Sequence, residues 1–73
     1  MKKREFIVQD LLSKIYQEEF KEGKLPNQRD LAKIYSVSRF TIQQAIKNLE
    51  EIGIVRVVQG SGIFVHEEWV KIL

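Results

Sequence analysis

Few residues in this 73-residue chain are able to do chemistry, and the missing types narrow the field first. There is no cysteine and only one histidine, His66. That removes thiolate metal centres, cysteine nucleophiles, disulfide staples and all-histidine metal sites. No paired carboxylates face an evident pocket, so the expectation is no enzyme, no metal and no cofactor. What stands out is the run Arg39-Phe40-Thr41-Ile42-Gln43-Gln44, continued by Lys47. With Ile42 as the inward direction and about 100° per residue, Phe40, Gln43, Gln44, Lys47 and Glu51 fall opposite the core of a helix, with Arg39 and Thr41 on its N-terminal shoulders. In its first two turns this row holds two amides, a cation and an aromatic, and no acid. A helix entering the major groove needs that inventory. Gln pairs bidentately with adenine, Arg with guanine, and Thr or an apolar side chain touches the thymine methyl. The helix N-terminus adds unpaired N–H groups that suit a phosphate.

Taken singly, these residues mean little. An exposed glutamine is ordinarily solvated, and a lone arginine commonly makes a surface ion pair. Phe40 is the oddity, since a large aromatic opposite the core needs something to cover it. Folding back onto its own domain and contacting DNA stand as equal alternatives.

The elements that must position this row follow from periodicity. Ile7, Val8, Leu11, Leu12 and Ile15 recur at helical spacing and predict a first helix from Arg4 to Phe20, closed by Gly23 and the break at Pro26. Phe6, Tyr16 and Phe20 lie on its flank; packing against the rest of the domain is the first expectation, a dimer or neighbouring-domain contact the second. Asn27 caps a short second helix with Leu31, Ala32 and Ile34 available for packing. Ser36-Val37-Ser38 makes the turn, and Ser38 caps a third helix, 38–52, with Ile42, Ala45, Ile46, Leu49 and Ile52 as its core stripe and Gly53 as its stop. Ile54–Gln59 and Ile63–Val65 are β-branched runs joined by Gly60-Ser61-Gly62, a hairpin over 54–65. The fold class is mainly α with a small β-hairpin: a winged helix-turn-helix of three helices and a two-stranded wing. One domain, 4–66, is expected, with 67–73, including Trp69 and Leu73, as a tail or the start of a linker.

Charge sharpens the same surface. The chain holds 12 Lys plus Arg against 10 Asp plus Glu, a net +2 that names no partner. Between Leu31 and His66, however, Lys33, Arg39, Lys47 and Arg56 face only the adjacent acids Glu50 and Glu51. The acid-poor stretch coincides with the turn, third helix and hairpin. Lys2, Lys3 and Arg4 could begin a signal peptide, but Gln9 and Asp10 interrupt the apolar stretch required next. No run approaches the roughly 18 apolar residues of a membrane span. A cytoplasmic location without membrane contact is expected.

With these motifs in order, the chain resembles the N-terminal DNA-binding domain of the GntR family of bacterial transcription regulators, from about Val8 to Val65. Leu25-Pro26-Asn27-Gln28-Arg29-Asp30-Leu31-Ala32 is similar to the family's Leu-Pro-Ser-Glu-Arg-Glu-Leu-Ala. Val37-Ser38-Arg39 with Thr41 matches Val-Ser-Arg-x-Thr, and Ala45, Leu49, Gly53, Val55, Gln59-Gly60, Gly62 and Phe64-Val65 keep the remaining landmarks. The resemblance implies sequence-specific binding of double-stranded operator DNA by a repressor, with helix 38–52 in the major groove and the wing at the adjacent minor groove or backbone. It carries contact roles to Arg29, Ser38, Arg39, Thr41, Gln43, Gln59 and Gly60; Phe40, Gln44, Lys47 and Ser61 join them by position. The departures are Gln43-Gln44 for Arg-Glu, Phe40 for Thr, Ser61 for the wing-tip Arg, and Asn27-Gln28 for Ser-Glu, which imply a changed operator and fewer charged contacts. The resemblance further implies a homodimer in the full-length protein and a small-molecule effector bound only through a C-terminal domain absent from these residues, so that the DNA-binding portion of a longer regulator is the first expectation and a short protein dimerising through its terminal apolar residues the second. A winged helix serving protein interaction is the alternative function.

Overall fold

The computed structural model describes residues 3–66. Helix α1 (Lys3–Tyr16) leads through a 3₁₀ turn (Lys21–Gly23) and strand β1 (Lys24–Leu25) to helices α2 (Gln28–Tyr35) and α3 (Arg39–Glu51), then strands β2 (Val55–Val58) and β3 (Gly62–Val65). The expected three helices and wing are present. The tail 67–73 lies outside the described residues.

The three helices end in the same way, and this sets the sharp changes of direction. At α3, the Gly53 N–H donates to the Glu50 carbonyl and the Ile54 N–H to the Leu49 carbonyl, with Gly53 left-handed at φ 81°. This paired closure satisfies the last carbonyls and seats Ile54 beside Leu49, both buried. At α2, Ser36 takes the left-handed position, and Ser36 and Val37 donate to Lys33 and Ala32. Asn27 Oδ1 accepts from the Asp30 N–H at 2.8 Å to start α2. Ser38 Oγ accepts from the Thr41 N–H at 3.2 Å to start α3 only two residues after the α2 closure. The helix-turn-helix angle is therefore fixed by a left-handed residue and a serine cap.

Four expectations need correction. Helix α1 stops at Tyr16 instead of Phe20, because Glu18 adopts φ 56° and Glu18 and Glu19 close the helix onto Ile15 and Lys14. The chain turns there so that Phe20 can pack against the core. Gly23, at φ 70°, ends the 3₁₀ turn that follows, and a Cβ there would stand 3.6 Å from the Val65 Cβ. Ile34 and Ile52 do not join the core and are 56% and 62% exposed. Ile52 lies about 80° off the Ile42 direction at 100° per residue, and Ile34 is displaced similarly from Leu31. Finally, the sheet has three strands in the order β1-β3-β2. β1 pairs antiparallel with β3 through Lys24↔Phe64 and Leu25↔Ile63, which ties the wing to the start of α2.

The core sits where the faces meet. Ile7, Leu11 and Ile15 from α1, Leu31 from α2, and Ile42, Ala45, Ile46 and Leu49 from α3 pack with Leu25, Ile54, Val55, Ile63 and Val65. No polar side chain is buried among the described residues, so burial of apolar surface carries the stability. Of the flanking aromatics, Phe20 is packed, Phe6 meets Tyr35 edge-on at 6.5 Å while 53% exposed, and Tyr16 is 67% exposed.

Candidate nucleic-acid interface

Because the inward stripe of α3 is buried completely, its opposite face is presented outward as a rigid row. Arg39, Phe40, Gln43 and Lys47 are exposed; Thr41 and Gln44 are half-buried. Ser38 and Thr41 are engaged locally, with their hydroxyl oxygens 3.1 Å apart, so both hydroxyls mark the helix start. Phe40 does not fold onto the core. It is 67% exposed and, with Thr41, Gln44, Lys3 and Arg4, lines an open cleft of about 310 Å³ between α3 and the start of α1.

On the other side of α3, the Gln43 Nε2 donates to Gln28 Oε1 of α2 at 3.3 Å. Arg29, next to Gln28, is exposed in the first turn of α2. Gln59, Gly60 and Ser61 are exposed at the hairpin tip, where the Ser61 N–H donates to the Val58 carbonyl and Gly60 takes φ 83°. Gly60, Ser61 and Gly62 line a second cleft of about 490 Å³ with Lys24, Asn27 and Asp30. Wing tip, α2 start, α3 and α1 start thus form one continuous surface, joined by the two clefts and the amide contact. All the sequence-derived site residues lie on these elements.

The electrostatics of this surface are lopsided. Among the described residues the ion pair within 4.0 Å is Lys14–Asp10, at 3.2 Å, and it involves none of the site residues. Arg29, Arg39, Lys47 and Arg56 therefore keep their charge free for a ligand. Asp30 is the one acid lining either cleft. Phe64 lies between Arg56 and Lys24 across the sheet, with the cations 5.4 and 5.9 Å from its ring centre. This adds two positive charges to the outer face of the wing.

Four participants are not legible as such in the sequence. Gln28 was noticed only as a departure from a motif; its contact with Gln43 spans two helices and leaves no periodic trace. Lys24 was hidden because β1 is too short to show alternation. Lys3 and Arg4 sit at the start of the first helix, where nothing in the sequence sets them beside Phe40. No group of three or more His, Cys, Asp or Glu among the described residues could hold a metal ion. No described helix is long and apolar enough to cross a membrane.

The arrangement agrees with known proteins. The profile of "Bacterial regulatory proteins, gntR family" matches residues 3–65. The arabinose metabolism transcriptional repressor of Geobacillus stearothermophilus is 38% identical over 58 residues, covering 78% of this chain and 16% of that protein. The chain thus spans about a sixth of this relative's length. Among solved structures, a GntR family transcriptional regulator from Listeria monocytogenes superposes with a TM-score of 0.88 at 32% identity, over 99% of this chain and 64% of that one. AraR(DBD) in complex with operator ORX1 superposes with a TM-score of 0.84 at 33% identity, over 89% and 80%. Matched along nearly its whole length in both sequence and fold, the chain belongs to the gntR family of bacterial regulatory proteins.

Proposed function

We propose that residues 4–66 are a sequence-specific double-stranded DNA-binding unit of a bacterial transcription regulator of repressor type, acting on operator DNA in the cytoplasm and not as an enzyme. The observation that carries this reading is the continuous surface just described: an exposed and a half-buried amide with an exposed aromatic on α3, bordered by free cations and two clefts. The likeness to a domain solved with its operator supports the same partner for this chain. In this reading α3 enters the major groove, where Arg39, Phe40, Gln43 and Gln44 meet base edges. Ser38 and Thr41 place the helix N-terminus against a phosphate. Arg29 and Lys47 take flanking phosphates, and Gln59, Gly60 and Ser61 approach the minor groove or backbone. Two chains on a pseudo-palindromic site would double the phosphate contacts.

Selection of bound duplexes from a random DNA pool tests this, followed by anisotropy titration of Arg39→Ala and Gln43→Ala. A single enriched motif, bound at least several-fold more weakly by both variants, is expected. Equal binding by both variants would remove the assigned face. Salt-insensitive capture of a protein, with no enriched DNA, would establish the interaction-module alternative instead.

A further inference from the structure

Gln43 is not a free amide. Its nitrogen donates across the helix-turn-helix to Gln28 Oε1 at 3.3 Å, joining residues 15 apart on two helices. Gln28 is half-buried and Gln43 exposed, so the bond runs from the domain side out to the recognition face. An amide nitrogen carries two hydrogens and an amide oxygen accepts. With one hydrogen held by Gln28, Gln43 is left with one N–H and its carbonyl oxygen toward solvent. That remaining pair complements the N7 acceptor and N6 donor of adenine. It does not complement guanine, whose N7 and O6 are both acceptors. From this contact we propose that Gln28 is a positioning residue that fixes the amide of Gln43 to read adenine at one operator position. The inference rests on the DNA-binding reading above and deepens it by naming the base.

The departures from the family motif bear on the same pair. The motif has Glu where this chain has Gln28, and Arg where it has Gln43. A guanidinium offers donors only and suits the two acceptors of guanine, whereas the braced amide offers one donor and one acceptor. In this chain the hydrogen bond lets the α2 residue set the orientation of the α3 amide. Other groups lie near enough to matter for overall affinity but not for this choice. Arg29 and Asp30 follow Gln28 on α2, and Arg39 and Lys47 lie one turn either side of Gln43 on α3, all exposed; none has a hydrogen bond to either amide among the described residues.

The test uses the duplex enriched from a random pool. Each base pair is exchanged in turn, and the affinity ratio for adenine over guanine is measured at fixed salt by anisotropy. Wild type should show one position where exchange to guanine weakens binding roughly 5- to 150-fold, the range for one bidentate contact. Gln43→Ala should flatten the ratio at that position alone. Gln28→Ala, which leaves Gln43 present but unbraced, should reduce the ratio at the same position while ratios elsewhere stay unchanged. Gln28→Glu keeps the acceptor and should keep the adenine preference, so a general loss of folding cannot mimic the result. The combined Gln28→Glu, Gln43→Arg chain should reverse the ratio toward guanine. If Gln28→Ala leaves the ratio intact, or alters a different position from Gln43→Ala, the inference is overturned while DNA binding stands. Failure to enrich any sequence would overturn both.

Discussion

Replacing Tyr35 with phenylalanine removes one oxygen atom and tests how α1 is held against the helix-turn-helix. The Tyr35 hydroxyl donates to Asp10 Oδ2 at 2.6 Å, across the α1–α2 boundary. The ring would keep its edge contact with Phe6 and its place beneath Lys14, whose Nζ lies 5.4 Å from the ring centre. A hydrogen bond to a charged group contributes about 1.5–3 kcal/mol when buried. The Asp10 side chain is 32% exposed, so solvent screening reduces this to about 1 kcal/mol. For a domain of this size the midpoint should fall by about 4–8 °C at neutral pH. The pH dependence is a stronger test. The Tyr35 hydroxyl chiefly, aided by Lys14, holds the Asp10 carboxyl below its ordinary value of 3.8 despite some desolvation. Burial first, then Asp10, pushes the Tyr35 hydroxyl above its ordinary value of 10.0. A lowered acid stabilises the fold above its unfolded pKa and stops doing so as pH falls through the folded one. A raised tyrosine stabilises below its unfolded pKa and loses this as pH rises through the folded one. The gap between wild type and Tyr35→Phe should therefore be full between pH 4 and 10, closing on either side. Thermal unfolding followed by circular dichroism across this range measures it. Equal midpoints at pH 7, or a gap that does not narrow in acid, would refute the reasoning.

Other consequences follow from the same geometry. Ser38→Ala removes the cap of α3 and should cost about 1 kcal/mol, read from urea unfolding midpoints. Gly53→Ala meets nothing within 4 Å, so its expected cost of about 1 kcal/mol comes from the left-handed backbone alone, and a Gly53→Asn chain should be less affected. If Phe40 touches a thymine methyl, uracil in place of that thymine should weaken binding about fourfold by anisotropy, and Phe40→Ala should erase the difference. With Lys47 on a phosphate, Lys47→Ala should reduce the slope of log affinity against log salt by about one unit.

Much of the positioning apparatus was legible because its determinants are local. Asn27 announces where α2 starts, and Ser38 and Gly53 where α3 starts and stops, through their own side chains or the lack of one. The stripe from Ile42 to Leu49 has a helical period that no competing structure satisfies. The end of α1 was not legible, since Glu18 holds a left-handed conformation that its residue type does not advertise. Backbone closure onto Ile15 and Lys14, together with burial of Phe20, outweighs that local cost. Strand β1 escaped for a related reason: two residues carry no alternation, and Lys24 and Leu25 become a strand only because β3 pairs with them. The outward row could be named from a helical wheel. Its coupling to Gln28 on one side and its neighbours Lys3 and Arg4 on the other depend on how three helices meet.

The most direct measurement is the affinity of the chain for its enriched duplex and for a scrambled one, followed between about 50 and 200 mM salt. Two to four phosphate contacts, from Arg29, Lys47 and the wing, should give a slope of about −2 to −4 per chain on both duplexes, with the enriched duplex bound more tightly throughout. Equal affinity for the two duplexes, or binding that salt does not weaken, would contradict the account.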